Sequence, residues 1–348
     1  MSDKTVETPQ VARVEPGEVS TAFLTALDTG AVMCRAETGV VELNGAGAVT
    51  CAQGLLTNDV ELPGDGAFVY GALLTPKGMI VVDGWAARLG TTVSYTVPSD
   101  GLDRALGIFT RSVPPRLARV TDRSPEVVTC RLAGPRTLAV AGAAGLTVPT
   151  APGRVERGPD GVETARATDG APFVLQVTAP AAAAALLASR LEAAGAVAAG
   201  AAALELVRIL AGWPRLGAEI DEKTIPQEVR YDDIAGVSYT KGCYTGQETV
   251  ARLHFRGHAN RQLRGLLFDP EPPVAPVGGW SVVTHLDREV GRVTSLAFVA
   301  DAGLLGAGRW IGLALIRREV TPGSMVRAAG RDARVVDLPF AFPTAAPA

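Results

Sequence analysis

The sequence has no two cysteines close together: Cys34, Cys51, Cys130 and Cys243 stand far apart, and no C-x-x-C occurs. Structural zinc sites and self-contained four-thiolate clusters rely on closely spaced thiols, so neither is expected. Sparse, unpaired cysteines suit a reducing compartment, and a cytoplasmic location is expected. No apolar run reaches membrane length. The most apolar stretch, Ala179 to Val207, is broken by Arg190, Glu192 and Glu205 and falls short of the ~20 residues of a span. The polar opening carries no secretory signal and reads as a disordered tail over residues 1–19. There is no strong charge excess either. A net charge of −3 supplies no field for a polyanion, so nucleic acid is not expected as the main ligand.

What is present is the balance of a soluble protein with a real core, 47% apolar and 20% charged residues. A length of 348 residues implies two or three domains. Val40 to Asn44 reads as a short strand and Ala46 to Leu56 as a helix. Ala67 to Leu74 and Met79 to Ala87 read as strands joined at Thr75-Pro76-Lys77-Gly78, where proline before glycine favours a tight hairpin. Thr92 to Val97 follows, and Ser99-Asp100 is placed to cap a helix from Gly101 to Arg111. The pattern recurs. Val127 to Leu132 is a strand, Ala133 to Ala144 a helix, Val155 to Val177 further strands, and Ala179 to Ala194 and Ala201 to Leu210 helices. Two such rounds predict two α+β units of related plan with hairpin-paired, antiparallel sheets. From Arg261 onward the chain is rich in strands, prolines and glycines, which predicts a separate antiparallel β-domain.

One segment carries chemistry: Lys241-Gly242-Cys243-Tyr244-Thr245-Gly246-Gln247-Glu248, followed by Arg252. Glycines let a loop approach its surroundings closely or take positive φ. An ammonium two residues from a thiol favours the thiolate, the reactive form. Gln247 and Glu248 open a helix, where a carboxylate complements the dipole. The residues alone leave two readings open, a reactive thiol at a pocket or a glycine-rich turn around an inert cysteine. No histidine partner for a catalytic triad is evident.

The run from Lys241 to Glu248, with Arg252 and Arg256 to Arg261, resembles the signature of the YgfZ family of folate-binding proteins. Gln53-Gly54, Thr57 to Val60, Leu73 to Gly78 and Gly291 to Ser295 extend the likeness over roughly residues 40 to 320. The wider superfamily includes the aminomethyltransferase of glycine cleavage. Arg208 to Gly212 and Gly217 to Asp221 resemble that enzyme's pterin-contacting segment, which implies that Glu219 recognises the pterin of tetrahydrofolate through a two-point, charge-assisted contact. Tyr70, Arg252 and Gln247 are further expected folate contacts. Cys243 and Lys241 are the expected functional pair, with Gly242, Tyr244, Gly246 and Glu248 completing the motif. Arg252, Arg256, Arg261 and Arg264 form a basic cluster that could meet the glutamate tail of folate or an acidic partner.

The departure is at the strand after Gly78. The aminomethyltransferase carries its catalytic aspartate there, and ungapped counting places that position on Val82. The nearest acid, Asp83, points to the opposite face unless a bulge intervenes. Aminomethyl transfer is therefore not expected. The resemblance implies an α+β protein in which two related units and a C-terminal antiparallel β-barrel-like domain surround a central folate pocket. The expected division is a folate-binding region over 20–260, its first unit roughly 20–50 with 125–260 and its second roughly 51–124, a β-domain over 261–340 and a loose tail over 341–348. The expected role is a tetrahydrofolate-binding accessory protein for assembly or repair of iron–sulfur enzymes, with iron–sulfur proteins or assembly factors as partners. The alternative is a folate-dependent one-carbon transferase. His254 and His258 are four apart, but a third metal ligand is lacking and no metal is expected.

Overall fold

Gly78 takes φ +86°, which lets the hairpin turn close between the strands Phe68–Leu74 and Ile80–Leu89. The computed structural model describes residues 11–269, 271–274, 281–300 and 308–340. The hairpin belongs to a five-stranded antiparallel sheet in the order Phe68–Leu74, Ile80–Leu89, Thr92–Pro98, Thr38–Asn44, Arg119–Asp122. A six-stranded sheet follows the same plan: Arg154–Arg157, Glu163–Arg166, Leu175–Pro180, Val127–Ala133, then Ala31–Ala36 and Ala196–Ala199. In both units a strand leads through a short helix to three antiparallel strands, a longer helix and a closing strand. The second copy differs by admitting Ala31–Ala36 beside its first strand, and that guest pairs in parallel with the closing strand.

This arrangement moves the unit boundary. Residues 38–44 were expected with the first unit, yet Val41 lies opposite Tyr95 while Cys34 lies opposite Arg131. The chain changes sheets at Glu37. Two other expectations are corrected. Helix Ala48–Gln53 is shorter than the stretch from 46 to 56. Ser99 does not cap helix Leu102–Ser112, because Ser99–Gly101 forms a 3-10 turn that feeds it directly. Helix Ala201–Leu210 forms as expected. No described helix is long and apolar enough to cross a membrane.

The C-terminal strands Arg261–Phe268, Ser281–His285, Arg288–Val299, Arg309–Arg317, Met325–Ala328 and Arg331–Val336 close into a six-stranded antiparallel barrel, because Arg288–Val299 pairs on both sides. Closure removes free sheet edges, and Leu266, Phe268, Val293, Leu296 and Val335 fill the interior. One further strand was not expected. Ala12–Val14, read as part of a disordered tail, pairs in parallel with Arg288–Val299, buries Val14 and lays the Arg13 guanidinium over Trp310. The loose tail expected over 341–348 lies outside the described residues.

Candidate functional site

A cavity of about 610 Å³ opens between the two sheets, helix Ala201–Leu210 and the N-terminal strand. Each wall reaches it by strand alternation. Tyr70, Asp83, Trp85 and Thr96 lie on one face of the five-stranded sheet, and Arg131 comes from the six-stranded sheet. Tyr70 meets the edge of Trp213 at 4.7 Å, and Trp213 stacks on Trp85 at 5.8 Å. The result is an aromatic wall beside a cluster of charges.

Asp83 stands there because of a β-bulge. Leu73 pairs with Val82 and Leu74 with Ile80, leaving Val81 as the extra residue. The insertion brings Asp83 opposite Ala72, the place that Val82 would take in an unbulged strand. Val82 instead turns away, toward Gly101. Asp83 is 5% exposed; its Oδ2 accepts from the Tyr70 hydroxyl at 2.7 Å, and its Oδ1 has no partner among the described residues. Burial raises its pKa to about 6 against the opposing hydrogen bond of Tyr70. Tyr70 also meets the hydroxyl of Tyr231 at 3.2 Å, so three buried groups form one chain. Burial lowers the Arg131 pKa to about 10, with Asp83 opposing. Arg131 lies over the Phe173 ring and donates to Gln176, whose amide reaches Thr96 in the facing sheet. Beyond that bridge lies a second cleft of about 480 Å³, where Arg123 pairs with Glu42 and Glu126, and Arg157 with Glu163.

Glu219 is not in the cavity. It is 0% exposed, and both oxygens are taken: one by Thr294 at 2.7 Å and Ser295 at 2.6 Å, the other by Arg208 at 2.9 Å and the Arg215 amide at 3.0 Å. A pterin would have to displace these donors from a sealed position. Glu219 instead holds Arg208, which does line the cavity together with Glu205. Burial works against the Arg208 charge, but Glu205 and Glu219 outweigh it and raise the pKa. The sequence carried a signal for this pair: Glu205 and Arg208 are the only charges in an otherwise apolar helix. Asp83 and Trp85, two apart on one strand, carried another.

The signature segments meet elsewhere. Lys241 is 6% exposed and donates to the carbonyls of Gln53 and Leu56 at 2.7 Å and Asn58 at 2.8 Å. Its ammonium is thus committed to backbone carbonyls. Burial lowers its pKa to about 8, opposed by Asp59 and Glu61. The Thr245 amide donates to Gly54, and Gly246, at φ +83°, rests against Thr75 and Gly78. Three stretches far apart in sequence, around residues 53–58, 75–78 and 241–248, therefore form one surface. Cys243 and Gly242 are exposed on it, whereas Tyr244 is buried under the Lys241 ammonium. None of these residues lines the cavity.

Gln247 and Glu248 begin helix Gln247–Arg256 as expected. Arg252 is exposed on that helix, and neither it nor Gln247 reaches the cavity. Arg261 is tied to Glu228 and Arg264 to Asp337, so two of the four arginines of the expected basic cluster stand in ion pairs. His254 stacks on Tyr239 at 3.6 Å, and no group of three metal-ligating side chains occurs among the described residues.

Comparison with known proteins finds likenesses to a domain family, to curated relatives and to a solved structure. Residues 27–147 match the GCVT N-terminal domain family. An aminomethyltransferase of Rubrobacter xylanophilus is 30% identical over 316 residues, 87% of this chain and 80% of that protein. The tRNA-modifying protein YgfZ of Vibrio vulnificus strain YJ016 is 37% identical over 130 residues, 36% of this chain. That stretch spans 38% of the YgfZ relative, well under half of its length. Among solved structures, the glycine cleavage system aminomethyltransferase T from Bartonella henselae superposes with a TM-score of 0.78 at 18% identity, covering 95% of this chain and 93% of that one. It has the same fold.

Proposed function

The chain belongs to the aminomethyltransferase family, and from that premise we propose that its central cavity binds tetrahydrofolate, in a cytoplasmic accessory protein that assists assembly or repair of iron–sulfur enzymes. The observation that carries the folate reading is the lone Asp83 oxygen in an aromatic-walled cavity. A buried acceptor without a donor is costly, and a pterin ring offers N–H groups to satisfy it. Asp83 thereby takes the role first assigned to Glu219, while Trp213 and Tyr70 supply apolar ring contact and Arg131 an N–H donor. The exposed Cys243 serves the partner: an iron–sulfur protein or its cluster meets the thiol at the surface, away from the folate. The relatives named tRNA-modifying proteins bring tRNA modification into the proposal, with enzymes of that process among those assisted.

Calorimetric titration with tetrahydrofolate tests the cavity. Wild-type protein is expected to bind, and Asp83→Asn to bind about tenfold or more weakly, the loss of roughly one charge-assisted hydrogen bond. Equal affinity in the two proteins removes Asp83 from the site, and no heat in either removes the folate reading.

A second reading, folate-dependent one-carbon transfer, is favoured by the bulge that brings Asp83 to the cavity with a pKa of about 6. A carboxyl that changes protonation near neutrality suits proton transfer. This reading requires turnover of a one-carbon folate adduct by wild-type protein and none by Asp83→Asn.

A further inference from the structure

The loop from Lys241 to Gly246 is bolted at both ends to the same short stretch of chain. At its start, the Lys241 ammonium donates to the carbonyls of Gln53, Leu56 and Asn58. An ammonium has three N–H groups, so these contacts exhaust its donors. The carbonyls belong to the end of helix Ala48–Gln53 and the turn after it, where backbone acceptors lack helical partners and a cation is favoured. At the loop's other end, the Thr245 amide donates to Gly54 at 3.1 Å, and a side chain on Gly246 would strike the Thr75 carbonyl at 2.6 Å. Tyr244 turns inward beneath the ammonium, its ring 5.2 Å from Nζ. Between the bolts, a side chain at Gly242 would meet none of the described residues within 4 Å apart from its chain neighbours, and Cys243 is exposed. Only these two residues project.

We infer that Lys241 is the positioning residue of the thiol: it sets where Cys243 stands and holds the loop taut. The inference rests on the reading in which Cys243 acts on a partner. A strut is read in the motion of the loop that it holds.

The experiment uses the full chain as wild type, Lys241→Met and Lys241→Arg. Hydrogen exchange at the Thr245 amide reports the loop. Lys241→Met is expected to raise Thr245 exchange about tenfold or more. Lys241→Arg, which still donates to carbonyls, is expected to restore part of the protection. Exchange in Lys241→Met within about twofold of wild type overturns the inference. Thermal unfolding checks that each variant is folded; if Lys241→Met is not, Lys241→Arg and Lys241→Gln carry the same comparison. Cys243→Ala tests the underlying reading separately. Fully active cluster enzymes in cells carrying it would end the role of the thiol and leave the result on the loop intact.

Discussion

At the scale of single residues, burial decides what a carboxylate does. Asp83 and Glu219 are both nearly inaccessible, yet four donors surround Glu219 and one oxygen of Asp83 has none among the described residues. The first is structural and the second is available to a ligand. Asp83 has an ordinary value of 3.8 and a folded value of about 6, so between these the folded state holds the proton more tightly than the unfolded chain. Its contribution to stability is present below about pH 4 and is lost as pH rises through about 6. Asp83→Asn, with no charge to bury, is expected to match wild type near pH 4 and to exceed it near pH 7 by up to about 3 kcal/mol. Urea denaturation at the two pH values checks this, and an equal gap at both would show that the carboxyl is not the cause. The sequence displayed both acids plainly. It could not show which had spare acceptors, because the donors to Glu219 come from residues 208, 215, 294 and 295.

At the scale of elements, local patterns were legible where turn chemistry is strong. Proline and glycine between apolar runs marked the 75–78 hairpin, and glycine-flanked Gln247–Arg256 and Ala201–Leu210 emerged as helices. The strand Ala31–Ala36 escaped notice. Five of its six residues are buried, so it shows no alternation to read. The bulge at Val81 escaped too, since nothing local announces it and its effect is to exchange the faces of Val82 and Asp83. The contact between the hairpin turn and the signature loop is backbone against backbone. Gly78 and Gly246 both have positive φ, and a Cβ on Gly246 would meet Thr75 O at 2.6 Å and the Gly78 Cα at 3.1 Å. Gly246→Ala is expected to destabilise the protein by about 2 kcal/mol through strain and overlap. Thermal unfolding measures it, and an unchanged midpoint would mean that the two turns separate without cost.

At the scale of the whole molecule, the cavity is a product of assembly. Its lining comes from the N-terminal strand, both repeated units and the connection after helix Ala201–Leu210. Ala12 and Arg13 form part of one wall, and the strand they belong to is held by the barrel through residues 295–297. Removing residues 1–14 is expected to open that side and to weaken tetrahydrofolate binding several-fold in calorimetry, while uncovering Trp310. Unaltered affinity would show the strand to be a buttress of the barrel alone. The sequence by itself determined the repeated α+β plan, the C-terminal run of antiparallel strands and the signature loop, since periodicity, turn residues and short motifs act over a few neighbours. Only the tertiary structure decided that Asp83 and not Glu219 faces the cavity, that Lys241 is spent on carbonyls and that the thiol stands apart from the cavity wall. Those outcomes depend on strand register and on donors far away along the chain, and no local pattern encodes either.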